Sequence, residues 1–229
     1  MSSRQEEKEQ RRQERLAREA AAAAAAKRKR LLQLIGGVVV ACAIVAGVAF
    51  AVSGGGGGGT DAGGADVDTE ALRAAATEAN CVYRAFPSEG QAHESKEFTR
   101  ADYKTNPPTS GNHVPPGLEA KDGIYAPGNE PGIGNWVHTL EHGRILFQYK
   151  PGVDPSVVAQ LDKLFNEDVA GSGGAYHSVL MRNNTQMPFE VAAVAWRHYM
   201  ACEKFSSKAL DAMRLFREEL VDTAPEKIP

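Results

Sequence analysis

The stretch Arg144-Ile145-Leu146-Phe147-Gln148-Tyr149, with Asp154-Pro155-Ser156-Val157-Val158-Ala159-Gln160-Leu161-Asp162-Lys163-Leu164-Phe165 just after it, decides the fold class. The first part is β-branched and aromatic, the composition of a strand. Asp154-Pro155 is a helix start, and Val157, Val158, Leu161, Leu164 and Phe165 then share one face. Upstream, Thr69 can cap a short helix over 70–79, and Cys81-Val82-Tyr83-Arg84-Ala85-Phe86 alternates weakly, as a strand does. Downstream, 176–182 and 190–199 read as two strands joined by Asn183-Asn184-Thr185-Gln186-Met187-Pro188. Residues 207–221 place Leu210, Met213, Leu215, Phe216 and Leu220 at helical spacing. The order strand–helix–strand–strand–helix predicts an α+β domain, a small mixed β-sheet with helices packed on one side. Pro and Gly cluster from Pro107 to Gly134, so that stretch reads as ordered loop.

Ahead of this domain the chain is segregated by charge. Residues 1–30 carry ten Lys/Arg and five Asp/Glu, a net of +5, so the −3 of the whole chain leaves −8 for the rest. Between them, Leu31 to Val52 is uncharged, with Gln33 its one amide. About 20 apolar residues cross a hydrocarbon core as a helix. Lys27-Arg28-Lys29-Arg30 abuts one end, which the positive-inside rule keeps in the cytoplasm. Three rivals are a signal peptide cleaved after Ala49-Phe50-Ala51, a lipoprotein box at Val39-Val40-Ala41-Cys42 and a buried core helix. The apolar run is too long for the first, it continues too far past Cys42 for the second, and the charged and Gly-rich flanks disfavour the third. The expected organisation is therefore a basic cytoplasmic arm (1–30), a transmembrane helix (31–52), a Gly-rich flexible linker (53–68) and an extracytoplasmic globular domain (69–229). That order is expected of a single-pass protein of the cell membrane. The arm has charge pairs such as Glu14–Arg18 but no apolar stripe and no aromatics, which gives no support to nucleic-acid binding.

Outside the span the cysteines are Cys81 and Cys202, and exported thiols tend to pair. A bridge between them closes a loop of about 120 residues, which the chain-entropy argument values at nearly 5 kcal/mol. The alternatives are two unpaired thiols, or one acting as a metal ligand.

His138-Thr139-Leu140-Glu141-His142 matches the H-x-x-E-H pattern of inverted zinc peptidases, with Glu141 as the candidate general base. Gly143 would end such a helix at once, whereas the peptidases need a long one. In a helical turn His138 and His142 lie about 6 Å apart on one face; in a strand about 13 Å separates them. The conformation of residues 136–143 therefore decides whether they can share an ion. His113 ends the stiff run Thr105-Asn106-Pro107-Pro108-Thr109-Ser110-Gly111-Asn112-His113, and His93 can add a further nitrogen from surroundings that look exposed. His177 and His198 fall on predicted strands as core-edge residues. Met181 and Met187 are soft donors for copper but read better as packing. Glu141 with Arg144 also reads as a buried ion pair. There is no P-loop, no C-x-x-C and no G-x-S-x-G.

The runs 106–115 (NPPTSGNHVP) and 136–144 (WVHTLEHGR), with Ala195-Trp196 and Cys202, resemble the bacterial domain of unknown function 3105. That family shows PPTSGxH and VHxLEHG signatures, often behind a membrane anchor. Arg197 stands where a small residue is expected. The resemblance implies an exported domain and brings no established activity, ligand or catalytic residue.

Three functions remain open. The first is a membrane-anchored extracytoplasmic module that binds copper or zinc through His113, His138 and His142, with His93 weaker. The second is a metal-dependent hydrolase using Glu141, although the poor helix context weighs against an enzyme. The third is a structural domain that engages an envelope protein and whose histidines hold loops by hydrogen bonds.

Overall fold

A computed structural model describes residues 67–169 and 176–226. The arm, the apolar span and the linker as far as residue 66 lie outside the described residues. Among those described, no helix is long and apolar enough to cross a membrane.

In chain order the elements are α1 (Thr69–Glu78), β1 (Cys81–Ala85), β2 (Gly123–Ile124), α2 (Ile133–Glu141), β3 (Ile145–Tyr149), α3 (Pro155–Phe165), β4 (Ser178–Arg182), β5 (Val191–Ala195), β6 (His198–Cys202) and α4 (Ser207–Leu220). The sheet is mixed, in the order β1-β6-β5-β3-β4-β2. β3 runs parallel to β4, with α3 crossing between them, and the β5–β6 hairpin and β1 add antiparallel strands. Three helices carry side-chain N-caps: Asp68 accepts from the Ala71 N–H, Asp154 from Ser156 and Ser206 from Ala209, whereas α2 starts after Gly132 without one. Asp68, one residue earlier than expected, caps α1.

The helices do not all lie on one side. Ile145, Phe147, Leu180, Val191, Ala193 and Met200 face a core closed by α1, α3 and α4. Leu146, Val179, Met181, Ala192 and Val194 face a second core, closed by α2 through Trp136, Val137 and Leu140. The central strands β3 and β5 are therefore buried at every position. A strand covered on both faces reads as a continuous apolar run, so its sequence does not say that a second layer exists.

The expected strand over 190–199 is two strands, turning at Trp196-Arg197. Arg197 adopts φ 67° without being glycine. Its N–H donates to Thr109 O, its carbonyl accepts from the Phe86 N–H, and its Nε donates to Phe86 O. Tertiary hydrogen bonds hold a turn that local composition does not signal. Cys81 and Cys202, directly opposite in the β1–β6 ladder with Cα atoms 4.3 Å apart, form a disulfide.

Gly134 lies on α2 where a Cβ would stand 2.4 Å from the Phe98 ring. Alanine normally improves a helix by about 0.5–1 kcal/mol over glycine. Here the sign reverses. Gly134→Ala is expected to cost about 1–3 kcal/mol through overpacking, read as a lower urea midpoint with unchanged slope.

His198 is the partly buried histidine of β6, its Nδ1 2.9 Å from the Tyr83 hydroxyl. Burial, and then the Arg197 charge, hold its pKa down at about 4. The unfolded chain protonates this histidine near pH 6.5 and the folded one only near 4, so its contribution is full above 6.5 and lost as pH falls towards 4. His198→Asn is expected to remove about 3 kcal/mol of the stability lost between pH 7 and 4. Urea titrations at both values check it; equal losses in both proteins refute it.

Candidate metal centre

Two segments build the site, and each is fixed by its own sequence. In the loop before α2, the Glu89 carboxylate accepts from the Lys104 and Thr105 N–H groups, and Thr105 Oγ1 accepts from Thr109 N–H. Asn106 is tied through its amide to the carbonyls of Thr185 and Gln186. The loop is thus bolted to the β4–β5 connection, and Thr109, Ser110 and His113 are fully buried in it. Gly111, at φ 132°, leaves no room for a Cβ, which would meet the Tyr103 ring at 2.8 Å. The segment at His93 pairs with His113 as a short parallel bridge, Glu94 N–H donating to His113 O and His113 N–H to Ala92 O. This pairing brings His93 to the site. α2 supplies His138 and Glu141 on one face, while Val137 and Leu140 enter the core.

His93, His113, His138 and Glu141 converge so that one ligand atom from each lies within 4.8 Å of all the others. His113 and His138 ring centroids are 4.7 Å apart, and His93 is 4.9 Å from each. His113 Nδ1 lies 2.8 Å from Gly111 O and His138 Nδ1 2.9 Å from Val114 O. A carbonyl only accepts, so both Nδ1 atoms carry the proton and both Nε2 atoms are turned inward. This is how backbone carbonyls orient histidine ligands at metal sites.

The inward atoms are the unusual ones. His113 Nε2, His138 Nε2 and Glu141 Oε2 are buried and have no hydrogen-bond partner. His113 Nε2 and Glu141 Oε2 stand 3.0 Å apart without the alignment of a hydrogen bond. Two buried acceptors facing one another repel, and unsatisfied buried polar groups cost about 1–3 kcal/mol each. A cation between them removes both penalties. Donors bound at about 2.0–2.1 Å around a tetrahedral ion sit roughly 3.4 Å apart, so the set needs only a small contraction. Burial first, then the neighbouring His113, His142 and His93, hold the His138 pKa at about 4, which keeps its imidazole neutral and ligating at neutral pH.

His142 is the C-cap of α2 and lies against His138, ring centroids 4.6 Å apart, outside the first group. It forms a second group with His138 and Glu226, its Nε2 3.3 Å from the Glu226 carboxylate. The H-x-x-E-H pentapeptide is helical as far as Glu141, yet its two histidines and its glutamate are divided between two groups. Among the expected ligands, His93 therefore stands with His113 and His138 in the first group, where His142 was expected. Glu226 carries no sequence signal, since it lies in a tail beyond the last helix. Arg144 reaches Asp122. Met181 and Met187 are core residues of the second layer, so the donor set is nitrogen and oxygen. His177 precedes β4 at φ 42° and pairs with Asp222 at 2.6 Å.

A family profile described as "Protein of unknown function (DUF3105)" matches residues 94–227, a span that takes in His113, His138, Glu141, His142 and Glu226 and begins one residue after His93. No curated protein and no solved structure matches the chain. With more than half its length matched, the chain belongs to the DUF3105 family.

Proposed function

We propose that this protein is a membrane-anchored, extracytoplasmic domain that holds one transition-metal ion, zinc or copper(II), through Nε2 of His93, His113 and His138 and the carboxylate of Glu141. The observation that carries the reading is the pair of buried, unpartnered acceptors, His113 Nε2 and Glu141 Oε2, at 3.0 Å. Imidazole and carboxylate suit zinc and copper(II), whereas the softer copper(I) asks for sulfur. Four protein donors close a tetrahedral site, the pattern of retention rather than of hydrolysis, which needs an open position for water. His93, with its side chain 31% exposed, is the ligand most able to leave. Export is supported by the basic, apolar and Gly-rich order of residues 1–59 and by the disulfide, which belongs to an oxidising compartment.

Calorimetric titration of the full-length chain in detergent with zinc and with copper(II) tests the ligand claim. A stoichiometric heat that disappears in Glu141→Ala is expected. No heat with either ion overturns it. Protease added outside intact cells is expected to reach the C-terminal domain.

A second reading has its own observation. His113 and Glu141 at 3.0 Å can be a structural ion pair that pins the loop to α2. It predicts that neither metal nor chelator moves the melting temperature.

A further inference from the structure

The two donor groups overlap at a single residue. His138 ends up in both, with ring centroids 4.7 Å from His113 and 4.6 Å from His142. Its Nδ1 is committed to Val114 O, so it has one lone pair, at Nε2, for both groups. One imidazole nitrogen binds one ion at a time. The two positions are therefore alternatives.

They also differ in depth. The inner donors His113 and Glu141 are almost wholly buried. In the outer group, Glu226 has a side chain 42% exposed, and His142 lies between it and His138. Glu119 adds a third carboxylate in the neighbourhood of both His138 and His142. Acidic groups at a mouth raise the local concentration of a divalent cation.

Glu226 is held there by a strap. After α4 the chain runs back along the end of α2, with Asp222 N–H donating to Gly143 O and Glu226 N–H to Glu141 O. Asp222, at φ 59°, also receives Tyr176 Oη and pairs with His177. A Cβ on Gly143 would stand 2.7 Å from Asp222 Cα, so only glycine lets the strap lie this close. The strap joins the outer carboxylate to the backbone of the inner ligand Glu141.

We propose that His142 and Glu226, with His138 Nε2, form an outer station through which a zinc ion is passed to and from the inner site, His138 exchanging partners without letting go. This rests on the inner site binding metal as proposed above. Stepwise exchange replaces one donor at a time, which avoids stripping the ion into water. Removing the outer donors therefore slows transfer in both directions and leaves the inner affinity alone.

The experiment is zinc transfer from the loaded full-length chain to excess 4-(2-pyridylazo)resorcinol, followed by stopped flow, beside equilibrium competition for the dissociation constant. Glu226→Gln and His142→Gln are compared with wild type. Glu226 is surface-exposed, so that variant stays informative if His142→Gln folds poorly. We expect a single ion per chain, transfer slowed by roughly tenfold or more, and a dissociation constant within about threefold of wild type. Unchanged transfer rates overturn the proposal. So does simultaneous binding of two ions, which a shared nitrogen forbids, and so does a large affinity loss, which would make the outer donors primary ligands. A wild-type chain that takes up no zinc removes the inner site itself, a different result from a chain that binds zinc and exchanges it indifferently.

Discussion

Replacing His113 with alanine is expected to lower zinc affinity by about 100-fold or more, since even the residues that merely orient a ligand are worth 10–100-fold. His113 is the best-anchored donor of the group: fully buried, tied by Nδ1 to Gly111 O, and paired through its backbone with the segment that carries His93. Its loss removes one ligand and loosens a second. The consequence for stability depends on the metal. At a zinc concentration about 100 times the dissociation constant, binding stabilises the wild type by about 2.7 kcal/mol, all of which the variant forgoes. Without metal the variant loses packing and a hydrogen bond, yet it also separates Glu141 Oε2 from the nitrogen that faces it, so the net cost there is smaller. Differential scanning calorimetry with zinc and with chelator reads both effects. A zinc-dependent rise in melting temperature should be present in wild type and absent in His113→Ala. It should persist in His177→Gln, whose histidine pairs with Asp222 instead. A rise that survives in His113→Ala would refute the assignment.

The elements of this domain were largely legible because local chemistry marks them. Asp154-Pro155 starts α3, the amphipathic run after Ser206 is α4, and the Ile145–Tyr149 strand is where its side chains place it. The layers were harder. Nothing in Ile145-Leu146-Phe147 distinguishes one covered face from two, and residues 136–143, behind a Pro/Gly-rich stretch, left helix and strand open. At the site, His113 and His138 stood out because stiff or patterned segments frame them. His93 did not. It reaches the site through a two-residue backbone bridge, and such a pairing leaves no trace in composition. Glu226 was out of reach for the same reason: its place depends on the strap after α4, fixed by backbone hydrogen bonds to Gly143 and Glu141. The pentapeptide left helix and strand open. The turn is helical, and His142, its N–H donating to His138 O, lies beside His138 as a helical turn requires, but Glu226 rather than His113 completes that pair's group.

Removing the disulfide by Cys81→Ser and Cys202→Ser together is expected to destabilise the domain by about 2–5 kcal/mol. The bridge spans 121 residues, near the upper end of the loop-closure argument. It also secures a strand that has little else: β1 is the sheet's edge, hydrogen-bonded to β6 alone, and α1 hangs on it and on α4. For a folded unit of this size 1 kcal/mol is about 2–4 °C, so the melting temperature should fall on the order of 10 °C. Reductant should produce the same fall in wild type and none in the double variant, which separates the bridge from the packing of its sulfur atoms. The metal site offers a stricter check. The bridge lies in the core of the α1, α3 and α4 layer, and the donors lie on α2 and its loop, beyond the other face of the sheet. Distant changes with no shared partners add to within about 0.5 kcal/mol. The zinc-induced stabilisation should therefore be the same with the disulfide as without it. A loss of that increment in the double variant would show that the segment from β1 to His93 transmits strain to the donors, and that the edge strand belongs to the metal site.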